Sequence, residues 1–198
     1  MQKPADGLEN IQSENKGKSL EPQEQSFLKG KGPLKVNYLT PLSEITNPEL
    51  FVYKEKRRLY VVQGDVLVRE YPVGLGFSPQ GDKEKEGDGR TPEGEFFVCL
   101  RKPGSRFDKA LGLSYPDRKH AEKAFMSDEI SPFEFRDILS SLERGSPPPW
   151  HTKLGGQVFI HGGGAMADWT NGCVALYDSD MDELFQTAKV GTPVSVLP

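Results

Sequence analysis

The chain has 198 residues, and its 25 Lys and Arg against 29 Asp and Glu leave a formal net charge of −4. That length suits one domain or one domain with a tail, and the mild acidity offers no electrostatic footprint for nucleic acid or an anionic membrane surface. Two cysteines close at most one disulfide, which excludes a disulfide scaffold, while 21 Gly and 16 Pro imply many turns.

Residues 1–33 are rich in Lys, Glu, Gln, Gly and Asn and poor in large apolar side chains. Such a segment cannot bury enough surface to offset its ordering entropy, so a tail or tether is expected there and a folded domain over 34–198. The opening "MQKPADGLENIQSENKGKSLEPQEQ" has no apolar core behind its early lysine and does not read as a signal peptide. No stretch approaches the length of about eighteen apolar residues that a membrane-spanning helix needs.

Strand patterns come next. "LFVYKEKRRLYVVQGDVLVREYPVGLG" alternates apolar and polar residues on both sides of Gly64-Asp65, which predicts a two-stranded hairpin and an extended third segment. "GEFFVCLRK" (94–102) and "GGQVFIHG" (155–162) read as further strands, and "TPVSVL" (192–197) as a closing one. Residues 107–125 are weakly patterned and are expected to form a loop with a helical turn. Helices are predicted over 131–145, where Ser131, Pro132 and Glu134 make a capping box with proline at the first turn, and over 179–191, which begins acidic and stops at Gly191. The class is therefore mostly β, with a helical insertion at about 103–149 and one C-terminal helix before the last strand.

Chemistry concentrates in "VFIHGGGAMADWTNGCVAL", residues 158–176. Gly172 lets the backbone turn tightly just before Cys173, and amides at such a turn can stabilise an oxyanion. His161 ends an apolar strand and opens a triple glycine, which suits an imidazole aimed at a thiol. A buried structural thiol and a histidine in a glycine turn are the competing readings. Cys99, Cys173, His120, His151 and His161 show no paired metal-ligand spacing, so no metal is expected. "GDGRTPEG" (87–94) lacks the order of a phosphate loop and leads into a strand, as a hairpin loop does. Arg90, Arg101, Arg106 and Arg118 are candidates for gripping carboxylates.

These pieces resemble the L,D-transpeptidase (YkuD-type) catalytic domain of bacterial cell-wall enzymes, in its compact-loop branch. "RRLYVVQGDVLVREYPVGLG" is similar to the family's opening hairpin, "GDGRTPEGEFFV" to its TP-x-G-x-[FY] segment, and "IHGGG…DWTNGCVAL" to its HG…[ST]-x-G-C signature. Asn171 stands where many members have histidine, and Ala175 where they have Arg or Asn.

The resemblance implies a β-sandwich or barrel-like fold and an acyl transfer on peptidoglycan stem peptides that needs no cofactor. It makes Cys173 the nucleophile, His161 the base, the Gly162 carbonyl the brace of the ring, and the amides of Gly172 and Cys173 the oxyanion donors. Thr170, Asn171, Trp169 and Arg118 become candidate substrate contacts. The acceptor is an amine on a second stem or on a wall-anchored protein. A hydrolase using water (an L,D-carboxypeptidase) and a non-catalytic wall-binding module are the rivals. The resemblance also implies a place outside the cytoplasm, in the periplasm or cell envelope, with an export signal or membrane anchor beyond this sequence. The insertion, by its position alone, is expected to flank or cover the cleft, hinged at Trp150 and the preceding prolines.

Overall fold

The computed structural model describes residues 34–198, so the expected tail over 1–33 lies outside the described residues. One mixed sheet runs in the order β1-β4-β3-β2-β9-β5-β6-β7-β8. Its strands are β1 (Lys35–Val36), β2 (Glu49–Tyr53), β3 (Arg58–Gln63), β4 (Val66–Pro72), β5 (Gly94–Ser105), β6 (Asp108–Leu113), β7 (Phe159–His161), β8 (Val174–Ala175) and β9 (Pro193–Leu197). The helices are α1 (Arg118–Met126), α2 (Pro132–Glu143) and α3 (Asp178–Thr187).

The Gly64-Asp65 hairpin joins β3 to β4, with Gly64 at φ 63 supplying the left-handed turn residue. Upstream, the run expected to form one strand breaks at Lys54–Arg57, and β2 pairs back on β3 with Phe51 opposite Tyr60. Arg57 takes the left-handed conformation itself, at φ 53, so no glycine marks the turn. Strand β9 inserts between β2 and β5, and Val194 and Val196 are buried there. The sheet then rolls: Gly74, just past β4, bridges to Ala175 of β8, and Gly76 bridges to Thr170. That closure makes the sheet barrel-like, around a core that includes Leu50, Val61, Leu111, Ile160, Val174 and, from α3, Met181 and Leu184.

Residues 107–125 are more ordered than their pattern suggests. Strands β5 and β6 run through Leu113, and α1 begins at Arg118, so the helices occupy only the later part of 103–149. Helices α1 and α2 share a small core of Ala121, Ala124, Ile130, Ile138 and Leu154. Ser131 caps α2 reciprocally with Glu134. Such a cap contributes about 1 kcal/mol, and burying Ile138 alone about 2–3 kcal/mol, so packing rather than capping fixes this helix pair.

Helix α1 is also clasped electrostatically. His120 is 4% exposed; its Nδ1 lies 2.6 Å from Asp117 and its Nε2 3.0 Å from Asp82. Burial alone would lower the His120 pKa, but the two carboxylates outweigh it and hold the pKa above the ordinary histidine value. Burial likewise pushes Asp82 up, and bonds from His120, Glu93 and Lys119 override it, leaving Asp82 well below the usual carboxylate range. The clasp ties the loop before β5 to α1. A histidine with a raised folded pKa contributes stability fully below its unfolded value, about 6.5, and loses it as pH rises through the folded value. Asp82 contributes above its unfolded value, about 3.9, and loses that only as pH falls through the lower folded one. We expect urea denaturation to show wild-type stability falling as pH rises above about 6.5, with the fall abolished in His120→Gln; equal slopes would assign it elsewhere.

Candidate active site

Strands β7 and β8 pair in parallel, with Ile160 opposite Val174 and His161 opposite Ala175. Side chains alternate across a strand, so Ile160 and Val174 point into the core while His161 and the residue before Val174, Cys173, share the other face. Both line one cavity of about 620 Å³, with Lys83, Glu86, Arg106, Phe107, Trp150, Trp169 and Asn171 among its other walls.

Backbone packing sets the thiol's position. The Cys173 carbonyl accepts from Thr170 Oγ1 at 2.8 Å and from Thr91 Oγ1 at 3.4 Å. Each hydroxyl also accepts an amide, Gly172 N–H for Thr170 and Gly76 N–H for Thr91, so both use donor and acceptor at once. Thr91 belongs to the TP-x-G segment, whose part here is to brace the cysteine from behind. Gly172 sits at φ 126, and a Cβ on it would come within 2.7 Å of the Arg90 carbonyl oxygen. Only glycine fits. Asp168 ties the same loop to the barrel through Arg57 at 2.7 Å and the Leu75 amide at 2.9 Å.

His161 is 4% exposed, and its Nδ1 lies 2.6 Å from the Gly162 carbonyl oxygen. A neutral ring donating there carries its lone pair on Nε2. Phe107 stacks on the imidazole, with centroids 4.3 Å apart and planes 15° apart, and Trp169 meets it edge-on at 5.6 Å. Burial lowers the His161 pKa, and the Gly162 bond only partly offsets it. Burial raises the Cys173 pKa, against the Phe159 amide and the Lys83 charge, which lower it. Near neutrality the pair therefore rests as thiol and imidazole, not as an ion pair. The Phe159 N–H reaches Sγ at 3.4 Å, while no acceptor for the Cys173 N–H is present among the described residues.

Several expected residues fall elsewhere or serve otherwise. Arg118 lies on α1, pairs with Glu122 at 3.6 Å and Glu143 at 4.0 Å, and does not line the cavity. Of the four candidate arginines, Arg106 alone does so among the described residues. The Gly172 amide, expected to face an oxyanion, donates instead to Thr170 at 3.1 Å. Thr170 is buried in that turn, whereas Asn171 and Trp169 are exposed on the cleft wall. No residue of α1 or α2 lines the cavity; the tip of the β5–β6 hairpin, Arg106 and Phe107, walls it with Trp150. Lys83 and Phe107 carried no sequence signal, one being a lysine among charges and the other an aromatic in a weakly patterned run.

Fold and site together define a rolled mixed sheet that presents a cysteine and a histidine in one cleft. Residues 47–196 match the L,D-transpeptidase catalytic domain (YkuD) family model, and the chain belongs to that family. No curated protein matches it in sequence. Among solved structures, it is similar to the helical cell shape determining protein Pgp2 of Campylobacter jejuni, at 20% identity and TM-score 0.52, covering 78% of this chain and 52% of that one. Bd1075 of Bdellovibrio bacteriovorus gives 20% identity and TM-score 0.50, covering 77% and 48%. An L,D-transpeptidase from Mycobacterium smegmatis gives 13% and 0.46, covering 77% and 59%. These likenesses concern the fold, and this chain spans only about half of each of the first two.

Because the Phe107 ring dries the imidazole, Phe107→Ala should raise the His161 pKa toward about 6.5. Titration of the His161 ring proton by NMR checks this; an unchanged midpoint would mean the stacked ring has no part in it.

Proposed function

We propose that the protein is an L,D-transpeptidase acting on peptidoglycan stem peptides outside the cytoplasm. The observation that carries this reading is the shared face of Cys173 and His161 in one cleft, with the imidazole's free nitrogen fixed by Gly162. Membership of the family supports the substrate class.

His161 Nε2 takes the thiol proton as Cys173 Sγ attacks the carbonyl at the L-centre of the third stem residue, a diacid such as meso-diaminopimelate. The carbonyl becomes an oxyanion facing the Cys173 N–H; a donor of this kind contributes about 3 kcal/mol to the transition state. The C–N bond to the terminal D-alanine breaks, and His161 returns the proton to the leaving amine, giving a thioester. An acceptor amine then gives its proton to His161 and attacks the thioester, forming the new amide and restoring the thiol. A resting neutral pair suits this sequence, since the base is ready to accept and the thiol is ionised only when it attacks. Asn171, Trp169 and Arg106 line the path to the thiol and contact the stem, with Thr170 acting through the turn. The amine comes from a second stem or a wall-anchored protein.

Incubating the protein with disaccharide tetrapeptides and separating products by mass spectrometry distinguishes the outcomes. We expect cross-linked dimers with release of D-alanine, and at least a thousandfold loss in Cys173→Ala, in line with removal of a nucleophile. Tripeptides without dimers would replace transfer by hydrolysis, and no turnover would overturn the enzymatic reading.

A further inference from the structure

The loop between Gly76 and β5 carries a buried cation that the mechanism above does not use. Lys83 is 4% exposed, yet its ammonium is bonded on two sides only: to Asp88 Oδ1 at 2.8 Å and to the Lys85 carbonyl at 3.0 Å. Besides these two acceptors it meets the face of Tyr115, 6.0 Å from the ring centroid, so the third N–H has no hydrogen-bond acceptor among the described residues. Lys83 lines the cleft of Cys173, and its Nζ lies 3.7 Å from the point a Cβ on Gly172 would occupy. Nothing larger than glycine separates this charge from the backbone that presents the thiol.

We propose that Lys83 is the fixed charge that makes Cys173 reactive, stabilising the thiolate as it forms and the negative charge that passes from it to the substrate. Asp88 does not cancel this effect. Its carboxylate also accepts the amides of Glu84, Lys85 and Arg90, so its charge is spread over four neighbouring groups. Burial tends to raise the Asp88 pKa, but Lys83 and those amides win, and it stays ionised. The carboxylate thereby holds Lys83 charged and still, which a buried ammonium needs. The other ionisable groups lining the cleft are His161, Glu86 and Arg106; Glu86 and Arg106 are exposed and screened, so the buried Lys83 dominates the field at the sulfur. With the Gly172 amide held by Thr170, this charge also supplements the single Cys173 N–H on the oxyanion side. The role rests on Cys173 being the nucleophile and is independent of which acceptor is used.

The test is alkylation, not turnover. In a Cys99→Ala background, the rate of Cys173 alkylation by iodoacetamide is followed against pH for the otherwise native chain, for Lys83→Met, and for the charge-balanced pair Lys83→Met with Asp88→Asn, which avoids stranding a buried carboxylate. Folding is checked by the amide NMR spectrum. We expect the inflection to move upward by at least one pH unit in both variants, a tenfold loss of rate at pH 7, and Lys83→Arg to retain most of the native rate. An unchanged inflection in the folded double variant would overturn the proposal and leave Lys83 as a loop brace. Failure of the transpeptidase reading would appear differently, as native thiol reactivity without cross-linked products.

Discussion

The site depends on the parallel pairing of two very short strands. If β7 and β8 slipped by one residue, Cys173 would turn into the core and a core valine or isoleucine into the cleft. Strands of three and two residues cannot hold that register alone. It is held by what surrounds them: Gly74 bonded to Ala175 in both directions, Leu176 N–H on the His161 carbonyl, and two threonine hydroxyls converging on the Cys173 carbonyl. Ile160 and Val174, both fully buried, make the alternative register costly by some 2–3 kcal/mol each.

The rolled sheet explains why residues far apart in sequence meet here. Closure brings Gly76, Gly89 and Gly172 together so closely that a Cβ on Gly76 would lie 2.1 Å from the Gly89 carbonyl oxygen. The loop that follows Gly76 then lines the cleft with Lys83, and the Asp82–His120–Asp117 clasp ties it to α1. The β5–β6 hairpin comes from the other side and lays Phe107 on the imidazole. These two loops and the one that carries Cys173 thus meet in one cleft, each fixed by contacts outside it. The helical pair acts at a distance, by holding one of those loops, and not as a cover.

Much of this was legible in the sequence, where local chemistry and tertiary demand agree. The Gly64-Asp65 turn, the Ser131 capping box and the apolar run before His161 each state their structure directly, and Cys173 and His161 stand out against few competing residues. Legibility failed where tertiary contacts override local pattern. Arg57 turns the chain without glycine because Asp168, more than a hundred positions away, holds its guanidinium. Strand β6 is read as loop from its mixed sequence, and becomes a strand because β5 and β7 flank it. Arg118 looked like a substrate grip by residue type alone; its helix faces it to Glu122 and Glu143 instead. Lys83 gives no signal in the sequence because its burial is created by Asp88, Tyr115 and the roll of the sheet.

What emerges is a thiol and an imidazole kept neutral by burial in one cleft, with an amide and a lysine favouring ionisation of the sulfur and the Gln157 carbonyl 3.6 Å from it. The account stands on that sulfur being the acylated atom. Intact-mass spectrometry of the protein after exposure to a carbapenem, an acylating electrophile, tests it most directly. The account predicts a single adduct on the native chain, none on Cys173→Ala, and a rate at least a hundredfold slower on His161→Gln. An adduct that persists in Cys173→Ala, or that forms at the native rate without the imidazole, would contradict it.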